Sequence, residues 1–444
     1  MLSFYLARLR QRATDWLRSR PLLAEAHAVW LVAASFLRAP KSEQRFGALL
    51  IAARRTRWRP LRRYLAQQFS PWLQQRERDR WRERSIGMER YHGEFGGFDG
   101  KPLNATLVIK APGEGGEKGV IYSSFEYNWV RLLARSTART LLDRYYLVGA
   151  SSWSPGDYAL FAWMAGLSED PIVIGVSNPA DADDYLVMRP VIEPSPLMAC
   201  DWIEPSFYQP KERSQRDIDL LMVANWLPFK RHWLFFEALR RMDRRLRVAL
   251  VGRPAPGRTE REIRRELQLF GVRQDVQLFN DIPIQEVTRL QCDAKVSVLM
   301  SRREGSCVAV VESLFADTPV AMMRYAHVGS KVYINEATGM LMSPRRIDRQ
   351  LSQLLEMSSE LHPRDWMLAN GPTCHRSLQR LEQHLASIAQ ASGRPWTRPL
   401  VPFCWRPLPR YLREEDARAM EAATEELRRD FGVELLDAKK VALD

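Results

Sequence analysis

The sequence contains two consecutive series in which short apolar runs alternate with longer segments of helical periodicity. The first series starts near residue 103 and the second near residue 217. Buried strands that alternate with helices are typical of βαβ units, whose strands form parallel sheets. The alternation therefore predicts an α/β fold with two Rossmann-like domains. The apolar runs lie at 106–109, 119–122, 145–148, 172–176, 220–223, 248–251, 276–279, 296–300 and 319–322.

Changes in composition divide the chain into four predicted regions. Residues 1–90 form a basic helical N-terminal segment, and residues 91–210 form the first Rossmann-like domain. The second such domain covers 211–360, and residues 361–444 form a helical tail that we expect to pack on the first domain. A proline-rich, irregular stretch at 188–210 is the predicted linker between the two domains.

The positive charge of the chain is concentrated at its N-terminus. The whole sequence has 66 basic and 53 acidic residues, a net charge of +13. Residues 1–90 hold 20 basic and 7 acidic residues, which accounts for the whole excess. Arginines interleave with aromatic residues at 54–64, a pattern that suits contact with anionic membrane headgroups. Solvated helical faces explain the same pattern equally well, and nucleic acid binding is a weaker third interpretation.

Cysteine usage and hydropathy indicate the compartment. The five cysteines are scattered and odd in number, which suits a reducing environment. The longest apolar run, 28–37, is shorter than the roughly 20 residues that span a bilayer. No signal peptide is recognisable. We therefore expect a cytoplasmic protein, placed peripherally at the inner face of a membrane if its basic segment contacts lipid.

The segment 296–320 carries the clearest chemical pattern. A predicted strand ends at Met300, a polar turn contains Glu304 and Gly305, and a helix follows. Ligands of open α/β sheets bind at the carboxyl ends of strands, and a helix N-terminus there favours phosphate. Glu304 and Glu312 are eight residues apart, so a helix brings them to nearly the same face. Two such carboxylates can accept hydrogen bonds from the hydroxyls of a sugar and a ribose.

This segment resembles the donor domain of the family 4 glycosyltransferases, a retaining family with a group 1 type donor domain. Blocks that resemble the family in order extend over roughly residues 217–345. The resemblance implies the GT-B fold, in which two Rossmann-like domains face a cleft. Residues 91–210 would then lie on the acceptor side and 211–360 would bind the nucleotide-sugar donor. The main motif is matched by Ser301, Glu304, Gly305, Glu312, Pro319 and Val320.

The resemblance also implies roles for particular residues. Glu304 would contact the hydroxyls of the donor sugar, and Lys230 would bind its phosphates. The amides of Ser306 and Cys307 would face the sugar or the diphosphate. Glu312 would bind the ribose of the nucleotide. We count Glu304 and Lys230 as catalytic, and the predicted donor-binding residues are Glu312, Gly305, Ser306, Cys307, Asn225, Arg231 and Ser301.

The sequence departs from the family pattern at three positions. Asn225 stands where the family usually has an arginine that binds phosphate. Arg231 follows Lys230 where glycine is usual, and it can supply the missing charge. Asp317 stands where glycine is common, and the acceptor-domain histidine of the family has no clear counterpart. Asn225 and the absent histidine support an alternative function, a non-catalytic GT-B protein that binds a nucleotide or a partner.

The implied reaction transfers a sugar from a UDP- or GDP-sugar to a glycan or lipid-linked acceptor, with retention of configuration. The resemblance implies no metal and no further cofactor. Asp181 and Asp183 match the metal-binding motif of another glycosyltransferase fold, but their loop is typical of turn chemistry. The glycine-rich segment 113–119 either approaches the diphosphate, assisted by Lys118, or connects a hairpin. An inverting enzyme would need a base, for which Glu126 and Asp157 are the candidates.

Overall fold

A computed structural model describes residues 2–19, 21–38, 43–74, 101–154, 156–157, 160–161, 164, 167–186 and 189–436. The α-helices in this part of the chain are α1 (Leu2–Ser19), α2 (Pro21–Ser35), α3 (Glu43–Arg55), α4 (Arg59–Gln74), α5 (Glu126–Leu133), α6 (Ala138–Arg144), α7 (Ala182–Leu186), α8 (His232–Leu239), α9 (Glu260–Phe270), α10 (Ile284–Cys292), α11 (Val308–Phe315), α12 (Ile347–Met357), α13 (Pro363–Asn370), α14 (Cys374–Ala391), α15 (Glu414–Ala419) and α16 (Glu421–Phe431).

The strands belong to two larger sheets and one short hairpin. They are β1 (Thr106–Lys110), β2 (Gly119–Ser124), β3 (Tyr145–Ala150), β4 (Ile172–Gly175), β5 (Ile192–Ser195), β6 (Ile218–Val223), β7 (Arg247–Gly252), β8 (Asp275–Asn280), β9 (Ala294–Leu299), β10 (Val320–Met323), β11 (Gly339–Met342), β12 (Phe403–Trp405) and β13 (Pro409–Tyr411).

The chain divides into two compact units, each built from two separate stretches of sequence. One unit, here called the early-sheet unit, consists of residues 20–202 and 374–444. The other, the late-sheet unit, consists of residues 1–19 and 203–373. Each unit contains one α/β sheet, so the predicted α/β class with two Rossmann-like domains is confirmed.

The early-sheet unit contains a five-stranded sheet with the order β1-β2-β3-β4-β5. Strands β2 to β5 are parallel, as the alternating pattern predicts. The pair β1 and β2 is antiparallel, however, because only the short segment 111–118 joins them and a parallel connection needs a longer crossover. That segment is therefore a hairpin connection.

Strand β5 lies inside the stretch that the sequence predicted to be an irregular linker, so that prediction was wrong at 192–195. The stretch contains Pro194, which argues against a central strand. Among the described strands, β5 pairs with β4 alone and forms the edge of the sheet, where a missing N–H group is tolerated. The chain passes between the two units shortly afterwards, at residues 202–203.

The late-sheet unit contains a six-stranded sheet with the order β11-β10-β9-β6-β7-β8, and every pair is parallel. This order matches the doubly wound nucleotide-binding fold, in which the first strand pairs with both the second and the fourth. Strands β6 and β9 are almost entirely buried. Side chains of β6 and β7 pack against those of α10, as in the cluster of Leu221, Ala249, Val251 and Leu290.

The described part of the N-terminal segment consists of the helices α1 to α4 and the short stretches 36–38 and 56–58, and residues 75–90 of the segment lie outside the described residues. Part of its positive charge is neutralised internally. The guanidinium of Arg62 is almost fully buried and forms ion pairs with Asp181 at 3.1 Å and Asp184 at 3.0 Å. Among the described helices, none is both long and apolar enough to cross a membrane.

Candidate functional site

The candidate site lies in the late-sheet unit, at the point where the strand order of its six-stranded sheet reverses. Strand β6 pairs with β7 on one side and with β9 on the other. The connections that leave β6 and β9 therefore diverge at the carboxyl edge of the sheet, which opens a crevice between them. Ligands of doubly wound folds bind in this crevice. The segments that follow β6 and β9 carry the residues predicted from the sequence.

The segment after β6 is held firmly against the neighbouring strand. The N–H of Ala224 donates to the carbonyl of Val251 at 2.8 Å. The buried indole of Trp226 donates to the side chain of Asn280 at 2.9 Å. A short 3₁₀ turn, Pro228–Lys230, then leads into α8. These contacts fix the position from which the Lys230 side chain extends.

Lys230 and Glu304 meet in an ion pair, although 74 residues separate them in the sequence. The ammonium Nζ lies 2.6 Å from Oε2 of Glu304, and the two side chains are 12% and 7% exposed. Burial opposes the charge of Lys230, but the attraction of Glu304 and their hydrogen bond outweigh it and raise the pKa of Lys230. Lys230 is therefore fully charged at neutral pH.

Glu304 is also oriented by its own loop. The hydroxyl of Ser301 donates to the other carboxylate oxygen of Glu304. The N–H of Glu304 donates to the carbonyl of His327 at 3.0 Å. Both oxygens of the carboxylate thus have a donor, one from each of two elements. A carboxylate held in this way can accept hydrogen bonds from ligand hydroxyls when the Lys230 ammonium pairs with another anion in its place.

The turn from Gly305 to Cys307 leads from β9 into α11. The carbonyls of Gly305 and Ser306 accept hydrogen bonds from the N–H groups of Gly329 at 2.8 Å and Ser330 at 3.0 Å. Cys307 has a left-handed backbone and directly precedes the first turn of α11. The N-terminus of α11, which favours anions, therefore lies beside Glu304 and Lys230. Burial and the nearby Glu304 carboxylate raise the pKa of the Cys307 thiol.

Glu312 lies two turns into α11 and is 6% exposed. The side-chain amide of Gln291, at the end of α10, donates to Glu312 at 3.3 Å. A buried carboxylate that accepts from an amide remains able to accept further hydrogen bonds. The sequence gave no sign of this contact, because Gln291 is one of several polar residues near a helix end.

Arg231 and Asn225 do not share the hydrogen-bonding partners of Lys230. The Arg231 guanidinium donates to the hydroxyl of Tyr325, and its Nε lies 3.3 Å from Asp15 of α1. Asn225 follows β6, and its buried Oδ1 has no hydrogen-bond partner among the described residues. The structure thus brings together Lys230, Ser301, Glu304 and Cys307, whereas Arg231 faces α1. Sequence reasoning missed Asp15, which is 216 residues away from Arg231.

Candidate residues of the early-sheet unit have partners within that unit. Lys118 forms an ion pair with Asp170, and it also donates to the carbonyl of Leu142 at 2.5 Å. This favours the hairpin interpretation of segment 113–119. Glu126 accepts hydrogen bonds from the N–H of Ser152, at 3.0 Å, and from its hydroxyl. Burial raises the pKa of Glu126.

Comparison with known proteins supports the interpretation of the late-sheet unit. Residues 206–366 match the family described as glycosyl transferases group 1. They therefore form a group 1 glycosyltransferase domain, within which all nine residues predicted to be catalytic or donor-binding lie. The subdivision into family 4 remains a prediction. None of the curated proteins matches the sequence significantly.

Several solved structures are similar in fold at low sequence identity. Sucrose-phosphate synthase from Thermosynechococcus elongatus is 15% identical, with a TM-score of 0.48 over 71% of this chain and 80% of that chain. Trehalose 6-phosphate synthase from Burkholderia multivorans is 13% identical, with a TM-score of 0.46 over 86% and 84%. A point mutant of S. aureus TarM, in complex with fondaparinux, alpha-GlcNAc-glycerol and UDP, is 13% identical, with a TM-score of 0.43 over 55% and 51%. This chain spans about half the length of the TarM structures, 51% and 54%. These similarities are too distant to assign an activity.

Proposed function

We propose that this chain, whose residues 206–366 form a group 1 glycosyltransferase domain, transfers a sugar from a nucleotide-sugar to an acceptor. The donor is a UDP- or GDP-sugar, and the acceptor is a glycan or a lipid-linked molecule at the cytoplasmic side of a membrane. The observation that carries the proposal is the Lys230–Glu304 ion pair at the strand-order reversal of the sheet. It combines a cation for phosphate with a carboxylate for sugar hydroxyls.

The ion pair supports a specific exchange of partners on donor binding. Without a ligand, each charge is satisfied by the other at 2.6 Å. The donor diphosphate would take over the Lys230 ammonium, and the sugar hydroxyls would take over the Glu304 carboxylate. Lys230 and the α11 N-terminus would then stabilise the charge that develops on the departing diphosphate. No metal is needed for this stabilisation in the proposed mechanism.

The proposed transfer proceeds with retention. The bond between the sugar's anomeric carbon and the diphosphate oxygen breaks, and the acceptor oxygen bonds to the same face of an oxocarbenium-like centre. The departing phosphate oxygen takes the proton of the acceptor hydroxyl, so no protein base is required. The products are the glycosylated acceptor and the nucleoside diphosphate.

The test combines donor binding with donor hydrolysis. Thermal stability and hydrolysis are measured against UDP-, GDP-, ADP- and dTDP-sugars for the wild type and for Glu312→Ala and Lys230→Met. We expect one donor to stabilise the wild type and to be slowly hydrolysed, and both effects to be lost in the variants. Lys295→Met is the matched control, because Lys295 also pairs with a carboxylate, Asp219, at 2.8 Å, but at the start of β9.

Other outcomes have distinct meanings. Stabilisation by a donor without hydrolysis, even when candidate acceptors are supplied, would favour the non-catalytic nucleotide-binding alternative. Equal responses of Lys230→Met and Lys295→Met would remove Lys230 from the donor site. An absence of any response to the four donors would contradict the proposed function.

A further inference from the structure

An arginine-rich cavity of about 660 Å³ lies in the late-sheet unit, outside the Lys230–Glu304 site. Its walls come from α1, from α8 and the preceding Arg231, from the segments that follow β9 and β10, and from the segment before α12. Seven arginines line it, against the two carboxylates of Asp15 and Glu237. The arginines used in the argument below are Arg8, Arg12, Arg231, Arg241, Arg345 and Arg346.

The carboxylates of the cavity are too few for its cations. Glu237 pairs with three guanidiniums, those of Arg8 at 2.6 Å, Arg12 at 3.3 Å and Arg241 at 3.8 Å. Of these, Arg241 has a second partner, Asp348 of α12, at 3.7 Å. Like charges that converge on one site repel each other, and this repulsion is strongest where water is limited. The cavity therefore carries a positive potential that an anionic ligand would relieve.

Arg231 is the buried side chain that faces this cavity with unused hydrogen-bonding capacity. It is only 7% exposed, and its Nε has no hydrogen-bond partner among the described residues. The guanidinium lies over the rings of Trp233 at 5.4 Å and Tyr325 at 5.6 Å, which hold it in place. A buried donor without an acceptor is costly unless a ligand supplies one. Its contact with Asp15 at 3.3 Å is an ion pair without hydrogen-bond geometry.

We propose that this cavity binds a phosphate-bearing ligand, at a site separate from the nucleotide-sugar site. Guanidinium groups match the geometry of phosphate oxygens and bind them in pairs of hydrogen bonds. The volume lies in the range of small-molecule sites and exceeds what one phosphate needs, so the ligand carries a further polar group beside its phosphate. Arg231, which was predicted from the sequence to be a donor-binding residue, lines this cavity, whereas Lys230 and Glu304 do not. The proposal is thus independent of the proposed transferase activity.

The test uses inorganic pyrophosphate as the probe and the full chain at constant ionic strength. Binding is measured by isothermal titration calorimetry in Lys230→Met protein, so that the donor-site cation does not contribute. We expect pyrophosphate to bind this protein, and the added pair Arg345→Ala and Arg346→Ala to weaken binding at least tenfold. Both arginines are exposed, so these substitutions leave the fold intact. The matched control is Arg261→Ala with Arg265→Ala, two exposed arginines of α9 outside the cavity.

Two results would overturn the proposal. One is an absence of pyrophosphate binding to Lys230→Met protein, and the other is equal affinity in the two double variants. Cosedimentation with phosphatidylglycerol or phosphatidylcholine vesicles distinguishes a lipid headgroup from a soluble phosphorylated ligand as the source of the phosphate. Binding to phosphatidylglycerol alone that requires Arg345 and Arg346 would identify a lipid headgroup. Pyrophosphate binding without vesicle binding would identify a soluble phosphorylated ligand, and both results support the proposal.

Discussion

At the scale of single residues, the Lys230–Glu304 pair joins the two segments that form the candidate site. Lys230→Met leaves the Glu304 carboxylate mostly buried without its cation, which we expect to lower the unfolding free energy by about 2 kcal/mol. Lys230→Met with Glu304→Gln should recover more than half of that loss, because no uncompensated charge remains. Urea unfolding of both single variants and the double variant measures the coupling. Additive losses would show that the two side chains do not interact in solution.

His232, the first residue of α8, gives a pH dependence of stability. It is fully buried, and burial, followed by the charges of Arg258 and Lys230, lowers its pKa to about 3. The unfolded chain protonates near pH 6.5, so the proton is bound more readily by the unfolded state. The unfolding free energy should therefore fall as the pH decreases from 6.5 towards 3, by up to about 1.4 kcal/mol per pH unit.

The substitution His232→Phe separates this effect from general acid unfolding. Neither ring nitrogen of His232 has a partner in good hydrogen-bond geometry among the described residues, and the backbone of Ala224 offers the ring only a weak contact. The ring packs near Trp226 and Phe236. An apolar ring should thus be tolerated at pH 7. Urea unfolding at pH 7, 6 and 5 should show a smaller acid loss for His232→Phe than for the wild type. Parallel pH profiles for the two proteins would rule out His232 as a source of the dependence.

At the scale of elements, α1 is an integral part of the late-sheet unit. Phe4 is 8% exposed, it meets Phe270 of α9 edge-on at 5.7 Å, and the Arg240 guanidinium lies 3.7 Å from its ring centre. Phe4→Ala removes this anchor, for which losses of about 3 kcal/mol are typical in cores. The rate of amide hydrogen exchange in α1 should rise sharply, and the midpoint of urea unfolding should move to a lower urea concentration. Leu9→Ala, at a position 72% exposed on the same helix, should change the unfolding free energy by less than about 0.5 kcal/mol.

The end of β7 supports the segment that carries Lys230. A Cβ atom at Gly252 would lie 2.6 Å from the carbonyl oxygen of Ala224 and 2.7 Å from the Trp226 ring. Gly252→Ala must therefore displace the segment after β6. We expect it to abolish stabilisation by the donor and to cost about 2 kcal/mol of unfolding free energy, as for other overpacked sites. Gln277→Ala, at an exposed position on the adjacent β8, should leave both quantities unchanged, whereas unaltered donor binding in Gly252→Ala would contradict this account.

Most elements could be predicted from the sequence because buried strands and amphipathic helices have different periods. Runs such as 220–223 and 248–251 fall inside β6 and β7. Strand order could not be predicted, because it depends on pairing between strands that are distant in sequence. The β5 strand was missed because its proline is acceptable only at an edge, and a sequence does not reveal which strands are edges.

The site was partly predictable for the same physical reasons. The loop after β9 has a recognisable local pattern, so Glu304 could be predicted from it, and Ser301 from its resemblance to the family motif. Their contact with Lys230 rests on the adjacency of β6 and β9, which only the folded sheet establishes. The contact between Arg231 and Asp15 was not predicted, because nothing in the sequence of α1 shows that this helix packs on α8 and α9. The charge distribution of the sequence showed that α1 is rich in arginine, but it could not predict that Arg8 and Arg12 pair with Glu237.

At the scale of the whole molecule, the chain order differs from the spatial organisation. The chain changes unit at residues 19–20, 202–203 and 373–374, so that each unit is completed by a distant stretch. The early-sheet unit depends on its C-terminal stretch for backbone pairing. The N–H of Leu103 donates to the carbonyl of Glu434 at 2.7 Å, and the N–H of Leu436 donates back to Leu103 at 2.8 Å. The C-terminal stretch is therefore part of the fold of this unit.

Side-chain packing adds to this dependence. The ring of Phe403 stacks on the buried Trp202 at 4.2 Å, and the hydroxyl of Tyr411 donates to the carbonyl of Val108 at 2.8 Å. Glu117 accepts from Thr397 at 2.7 Å and pairs with the buried Lys110 at 2.6 Å. Loss of the stretch would expose the first strand of the early sheet and leave buried polar groups without partners, which is strongly destabilising.

A chain that ends at residue 373 tests this organisation. It lacks the whole C-terminal stretch of the early-sheet unit but keeps every residue of the late-sheet unit. We expect amides of β1 to β5 to lose protection from hydrogen exchange, because the apolar surface around Trp202 and Val108 loses its cover. Amides of β6 to β11 should stay protected, because their sheet, α1 and the Lys230–Glu304 pair are all present. Loss of protection in both sheets at once would show that the two units unfold as one cooperative structure, and retained protection of β1 to β5 would show that residues 374–444 are dispensable for the early-sheet unit.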